Sequence, residues 1–197
     1  MADTVPNSVL LVEGPSDGAA VRVLAERLGL DLDAEGIEIV PMGGYGNLGR
    51  FLDRFGPAGL DVRLAGLYDA PEERHFRRGL ARAGFGSNLT RADLERLGFY
   101  ACEANLEEEL TRALGPEAME ELLEAQGELR AFRTYQKQPA HRHESIEEQV
   151  SGFLWNRKLR YGALIVNALD LDRVPRPLVR VLDHALAAEA PQVRLDR

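Results

Sequence analysis

An unbroken apolar run, Val9-Leu10-Leu11-Val12, meets Glu13-Gly14-Pro15-Ser16-Asp17-Gly18, after which Ala20, Val21, Leu24, Ala25 and Leu28 recur at helical spacing up to Gly29. This reads as strand, tight turn and helix. A strand without polar alternation is buried on both faces, as in a parallel sheet covered by helices. Ser16 suits an N-cap, Asp17 a first turn where the helix dipole favours negative charge, and Gly29 a left-handed stop. Glu13 does not follow from these local rules. A carboxylate at the end of a buried strand is costly to desolvate unless something cationic meets it.

The motif recurs. Gly36-Ile37-Glu38-Ile39-Val40-Pro41-Met42 alternates like a short strand that closes into the glycine-rich loop Gly43-Gly44-Tyr45-Gly46-Asn47. That loop is either a backbone skirting a site or a plain turn. Leu48, Phe51, Leu52 and Phe55 then mark a short helix ended by Gly56-Pro57. Val62 to Asp69 is a third apolar run, also ending in acid, and Pro71 opens a helix through Phe76 and Leu80. Thr90-Arg91-Ala92-Asp93 has the form of a capping box, and Gly98 to Cys102 reads as a fourth strand that runs into Glu103, Asn105, Glu107, Glu108 and Glu109. If the strands are parallel, Glu13, Asp69 and Glu107 emerge at one sheet edge, where open α/β sheets bind ligands. Each acid alone also has a plain role: Asp17 and Glu107 as helix-start residues, Glu72 and Glu73 as complements to a helix dipole, Glu108 and Glu109 as a solvated face.

From Pro116 the pattern is helical. Met119, Leu122, Leu123 and Leu129 predict one helix, Ile146 to Leu154 a second, Tyr161 to Leu169 a third, and Pro175-Arg176-Pro177 opens a last one. Residues 1–115 are thus expected to form an α/β domain and 116–197 a helical extension on or beside it. Arg130 to Lys137 and Arg157 to Tyr161 set positive charge beside aromatics, as phosphate contacts or as helix faces paired with glutamates. His141 and His143 lie in a polar loop with no second ligand pair, which argues against zinc.

Charge narrows the function. The 197 residues carry 24 Lys and Arg against 32 Asp and Glu, a net charge of -8, so contact with nucleic acid must be local or bridged by metal. The single Cys102 excludes an intramolecular disulfide, and without a secretory segment or long apolar span the chain is expected to be cytoplasmic with no membrane partner. Clustered carboxylates repel unless a hard divalent cation joins them, which points to magnesium or manganese and to nucleotidyl transfer or phosphodiester cleavage. A receiver-like phosphatase site, with Asp69 as nucleophile, is compatible with the same spacing.

Leu11-Val12-Glu13-Gly14-Pro15-Ser16-Asp17, the loop Gly43 to Leu48 and Asn105-Leu106-Glu107-Glu108-Glu109-Leu110 together resemble the TOPRIM module of OLD-family (overcoming lysogenization defect) ATP-dependent endonucleases. The resemblance covers most of Val9 to Leu114, and Lys158-Leu159-Arg160-Tyr161 with Ala168-Leu169-Asp170 is similar to the family's C-terminal part. It implies a Rossmann-like, mostly parallel four-stranded sheet flanked by helices. It further implies a Mg2+ or Mn2+ site with Glu13, Asp17, Asp69 and Glu107 as ligands, Lys158 as the basic residue near the scissile phosphate, and DNA as a transient partner. Three positions depart from the family pattern. Pro71 stands where the second Asp of Asp-x-Asp would fall, so that Glu72 or Glu73 must replace it or one metal site is weakened. Asn105 replaces a common acid, and Tyr45 replaces the usual Lys. With no Gly-x-x-x-x-Gly-Lys phosphate loop in the chain, the resemblance implies a stand-alone TOPRIM protein. Its ATPase would be a separate chain, or it works without one; a homodimer is left open. The alternative is a degenerate module that binds metal, nucleotide or an ATPase partner without cleaving.

Overall fold

The computed structural model describes residues 5–187. Four strands, β1 (Ser8–Val12), β2 (Ile37–Pro41), β3 (Arg63–Asp69) and β4 (Phe99–Cys102), form one sheet in the order β2-β1-β3-β4, every pair parallel. The register sets Ser8 opposite Ile37 on one side and Arg63 on the other, so β1 is an inner strand, and it is fully buried. Gly66 keeps β3 close to its neighbours. A Cβ there would stand 2.9 Å from the Phe99 ring and 3.0 Å from the Leu11 carbonyl.

Helices cover both faces. On one lie α2 (Leu48–Phe55), α3 (Glu73–Arg82) and α4 (Arg91–Arg96), whose Leu48, Phe51, Leu52, Phe76, Leu80 and Leu94 form a cluster with Val9, Leu11, Leu64 and Phe99. On the other lie α1 (Pro15–Arg27), α5 (Leu106–Leu114), α6 (Pro116–Ala125), α7 (Leu129–Gln136), α8 (Ile146–Leu154), α9 (Lys158–Ala168) and α10 (Arg176–Leu186), joined to Leu10, Val12, Ala65 and Leu67 in a second, larger cluster. The chain steps from β1 outward to β2, then back across β1 to β3 and on to β4. Right-handed crossovers therefore put α1 on one face and α2, α3 and α4 on the other.

Two elements differ from the sequence pattern. Helix α1 is capped at Gly14, not Ser16: Pro15 occupies the first helical position, and the Asp17 carboxylate accepts the Gly14 N–H at 2.9 Å. The single helix expected from Met119 to Leu129 is two, because Gly127 takes φ +72° and turns the chain before α7.

Helix α9 lies parallel to α1. Gly162 packs so close that a Cβ would sit 3.3 Å from the Ser16 carbonyl, while at the far end the Arg27 guanidinium donates to the carbonyls of Val166 at 2.7 Å and Leu169 at 2.6 Å. These carbonyls lie at the helix end, where that of Val166 also accepts the Leu169 N–H at 3.3 Å. Arg27→Met keeps the apolar stem and removes both charged hydrogen bonds. We expect a loss of roughly 2–4 kcal/mol, from about 1.5–3 kcal/mol per charged hydrogen bond less partial rescue by water. It would be read as a lower urea midpoint at unchanged slope.

Candidate active site

In this strand order the crossing direction reverses between β1 and β3, and the carboxyl ends of those two strands flank the crevice where such folds take ligands. Four connections converge there. The β1–α1 turn brings Glu13, Gly14, Ser16 and Asp17. The loop after β2 brings Gly43 and Gly44, the end of β3 brings Asp69, and the turn before α5 brings Asn105 and Glu107. Together they line a cavity of about 310 Å3.

The glycine-rich loop is built into this wall by its backbone. Gly43 and Gly44 adopt φ +71° and +106°, and both donate their N–H to the Glu13 carbonyl, at 2.9 and 3.1 Å. The Asn47 side chain holds the loop from behind, donating to the Met42 and Gly43 carbonyls at 2.9 and 3.2 Å. Side chains are disfavoured at such φ, so the wall stays thin beside the acids.

Asp69 is the electrostatic centre. Burial, and then the charges of Glu13, Asp17 and Glu107, push its carboxyl up to about 7. A hydrogen bond from Tyr45 works in the opposite direction. The Tyr45 hydroxyl also accepts the Asp69 N–H at 2.9 Å, so one phenol fixes both the backbone and the carboxylate of this residue. The Tyr45 ring stands edge-on to Phe76 at 5.6 Å, and burial together with the Asp69 and Glu13 charges drives its own ionisation far above the ordinary range. Burial, and then the charges of Asp69, Glu109, Asp17 and Glu107, keep the Cys102 thiol protonated. A loop residue departing from the family pattern is thus a positioning group. Its only sequence signal is its place among the glycines.

The sequence-nominated residues divide clearly. Glu13, Asp17, Asp69 and Glu107 are brought to one cleft. Glu73 is not: it is held by Arg77 and by Arg91, whose Nε lies 2.6 Å from Glu73 Oε2, and Arg91 also pairs with Glu103 at 2.9 Å. Glu73, expected as one replacement for the acid missing at Pro71, has its carboxylate engaged by the two arginines and does not line the cavity. Glu72 does not line the cavity either. Asn105 is a helix cap, its Oδ1 accepting the Glu108 N–H at 2.9 Å, and Glu109 accepts the Glu103 N–H at 3.0 Å. Of the three consecutive glutamates only Glu107 lines the cavity. Lys158 opens α9, and its side chain lies outside the described residues.

The donors are hard oxygens of the kind that suit a divalent cation. Their chemistry fits, but their placement is not closed: among the described residues no three His, Cys, Asp or Glu side chains stand as a ready metal cluster. Asp17 is partly engaged with the Gly14 N–H. Glu13, Asp17, Asp69 and Glu107 are the groups that would turn inward.

The all-parallel four-stranded sheet flanked by helices is TOPRIM-like in fold. Residues 7–70 match the family model for the TOPRIM domain of overcoming lysogenization defect (OLD) protein-like proteins. Two solved structures share the fold across nearly the whole chain. The C-terminal region of the Xanthomonas campestris pv. campestris OLD protein is 24% identical, with TM-score 0.72 over 92% of this chain and 95% of that one. The C-terminal region of the Burkholderia pseudomallei OLD protein is 19% identical, with TM-score 0.71 over 93% and 98%. No curated protein sequence matches the chain. An OLD-like TOPRIM domain implies metal-dependent chemistry of the nucleotidyl-transfer or nuclease type, and TOPRIM domains generally bind divalent metal. Among the described residues no helix is long and apolar enough to cross a membrane.

Because Asp69 keeps its proton up to about pH 7 when folded and only to an ordinary 3.8 when unfolded, the folded state binds the extra proton between those values. Stability of the metal-free protein must therefore fall as pH rises through that window. Asp69→Asn removes the effect. In chelator it should exceed wild type by roughly 1–2 kcal/mol near pH 8, allowing for solvent screening at this rim, and equal it near pH 4. Thermal melts at the two pH values test this. Tyr45→Phe should move the pH midpoint of divalent-cation binding upward, since Asp69 loses the donor that favours its ionised form; calorimetric titration across pH reads that shift.

Proposed function

We propose that the protein is a divalent-metal-dependent phosphodiesterase of TOPRIM type that nicks or cleaves DNA, with Mg2+ or Mn2+ as its cofactor. One observation carries the reading: Glu13, Asp17, Asp69 and Glu107, from three strand ends, line a single cleft in which Asp69 is held at about 7 by burial and by the other acids. Such mutual repulsion is relieved by a cation bridging to phosphate oxygens.

The roles follow from placement. Glu13, Asp69 and Glu107, with Asp17 at the rim, would hold the ion, which would polarise a phosphate oxygen and lower the pKa of attacking water. Tyr45 keeps the Asp69 carboxylate in one orientation. The bare backbone at Gly43 and Gly44 lets a phosphate approach the acids. In hydrolysis the water oxygen bonds to phosphorus and gives up a proton, the bond to one deoxyribose oxygen breaks, and that leaving oxygen takes up a proton. Lys158 is assigned to the phosphate side on backbone grounds. It opens α9 one turn before Gly162, which packs on Ser16, so the start of α9 lies at the same end as the β1–α1 turn.

The withdrawal of Glu73 into its arginine pairs and the Pro71 departure favour a second reading, a module that binds metal, nucleotide or a separate ATPase chain without cleaving. Calorimetric titration of Mg2+ and Mn2+ into wild type and Glu13→Gln, with plasmid nicking on the same samples, separates the two. We expect saturable binding and nicking in wild type. The variant should bind about tenfold or more weakly and nick at least a hundredfold more slowly. Binding without nicking establishes the second reading, and no binding defeats both.

A further inference from the structure

We infer that the outer faces of α2 and α3 form an arginine track that holds the phosphate backbone of duplex DNA and leads it into the acidic cleft, an inference that rests on the nuclease reading above. In a chain of net charge -8 these two helices carry six arginines against two acids, Asp53 and Glu73. Glu73 is consumed by Arg77 and Arg91. Arg74, Arg78 and Arg82 remain, at i, i+4 and i+8 along α3. They lie on its outer face, opposite the buried Phe76 and Leu80, and all three are exposed with no carboxylate paired to them among the described residues. On α2, Arg50 and Arg54 repeat the spacing opposite the buried Phe51, Leu52 and Phe55, each guanidinium resting over the adjacent phenylalanine ring at 5.0 and 4.8 Å. The helices are neighbours: a Cβ on Gly79 would come within 2.9 Å of Leu48 and 3.6 Å of Leu52. Five exposed arginines therefore share one surface.

The position of the track selects its ligand. Helix α2 begins directly after the glycine-rich loop that walls the cleft, and α3 begins four residues after Asp69. Arg50 and Arg74 sit in their first turns, and Arg82 lies eight residues further, about 12 Å along the axis. That length of duplex presents roughly seven phosphate charges. Guanidinium forks match phosphate oxygens well. No large apolar side chain is exposed on either helix, so the face offers neither stacking platforms for unpaired bases nor a wedge for a lipid surface. In the basic segments that stand out in the sequence, Arg133 pairs with Glu120, and Arg157 and Arg160 share Glu128.

The test is fluorescence anisotropy of a labelled duplex of roughly 20 base pairs in chelator, so that binding is read apart from metal and cleavage, over a series of salt concentrations. The full chain is compared with Arg74→Ser/Arg78→Ser/Arg82→Ser, with the same three positions changed to Lys, and with Arg133→Ser. The serine variant should bind roughly tenfold or more weakly at about 0.1 M salt, and its log–log salt slope should be shallower by about 0.9 per lost contact, near three in all. The lysine variant should stay within a few-fold of wild type, which also excludes misfolding as the cause, and Arg133→Ser should be unchanged. Equal affinity and slope for the serine variant, an equal loss from Arg133→Ser, no duplex binding by wild type, or tighter binding of single strands or of an acidic protein would each overturn the track. Failure of cation binding with intact, arginine-dependent duplex binding would defeat the nuclease reading and leave the track standing.

Discussion

Placing β1 between β2 and β3, with every strand parallel, is the constraint from which the other features follow. A parallel sheet sends each strand's carboxyl end to the same edge, and reversing the winding direction across β1 opens a crevice there that the helices do not fill. An acid at the end of any one strand would be a rim residue paired with solvent. Acids just after β1 and at the end of β3, with Asp17 in the first turn of α1 and Glu107 in the first turn of α5, become a single electrostatic unit. The fold thus concentrates negative charge that the sequence spreads over nearly a hundred residues.

Concentrating charge has an energetic cost, and the structure places it on Asp69. Its carboxyl is desolvated by burial and feels the charges of Glu13, Asp17 and Glu107, so it retains a proton near neutrality. Tyr45 offsets part of that cost without adding charge, by a hydrogen bond to the carboxylate and another to the backbone N–H. A lysine in the same place would lower the repulsion by Coulomb attraction and compete with any incoming cation. The phenol leaves the negative field intact and steadies only its geometry. The two glycines before it contribute by absence, since positive φ at Gly43 and Gly44 lets backbone, not side chain, form the wall.

The sheet was legible because its strands are apolar runs of strand length closed by turn residues, and because Ser8–Val12 has no polar alternation to suggest a solvent face. The convergence of Glu13, Asp17, Asp69 and Glu107 was legible too, since parallel order alone carries each strand's last residue to one edge. What could not be read was decided by long-range partners. Glu73 looked available beside Asp69 until Arg91, eighteen residues on, claimed it. Helix boundaries near Gly127 were hidden because Leu122, Leu123 and Leu129 keep helical spacing across a glycine whose positive φ breaks the helix. Tyr45 carried no pattern at all, since its role exists only once β2 and β3 lie on either side of β1.

The distribution of arginines makes the same point about charge. Net charge describes a sum, whereas phosphate responds to which charges are unpaired at a given place. Beyond residue 116, Arg133 of α7 pairs with Glu120, and Arg157 and Arg160 at the start of α9 share Glu128, so much of the charge of the conspicuous basic segments is met locally. On α2 and α3 the acids are few and one of them is already taken, so an unremarkable stretch of sequence becomes the positive face of a negative protein. An acidic cleft repels DNA as strongly as it attracts a cation. A cleft of this kind can engage a duplex only if cations elsewhere on the surface hold the backbone while the metal bridges the rest, and the one unpaired arginine surface that begins at the cleft's own walls is the place in the described chain where both conditions meet.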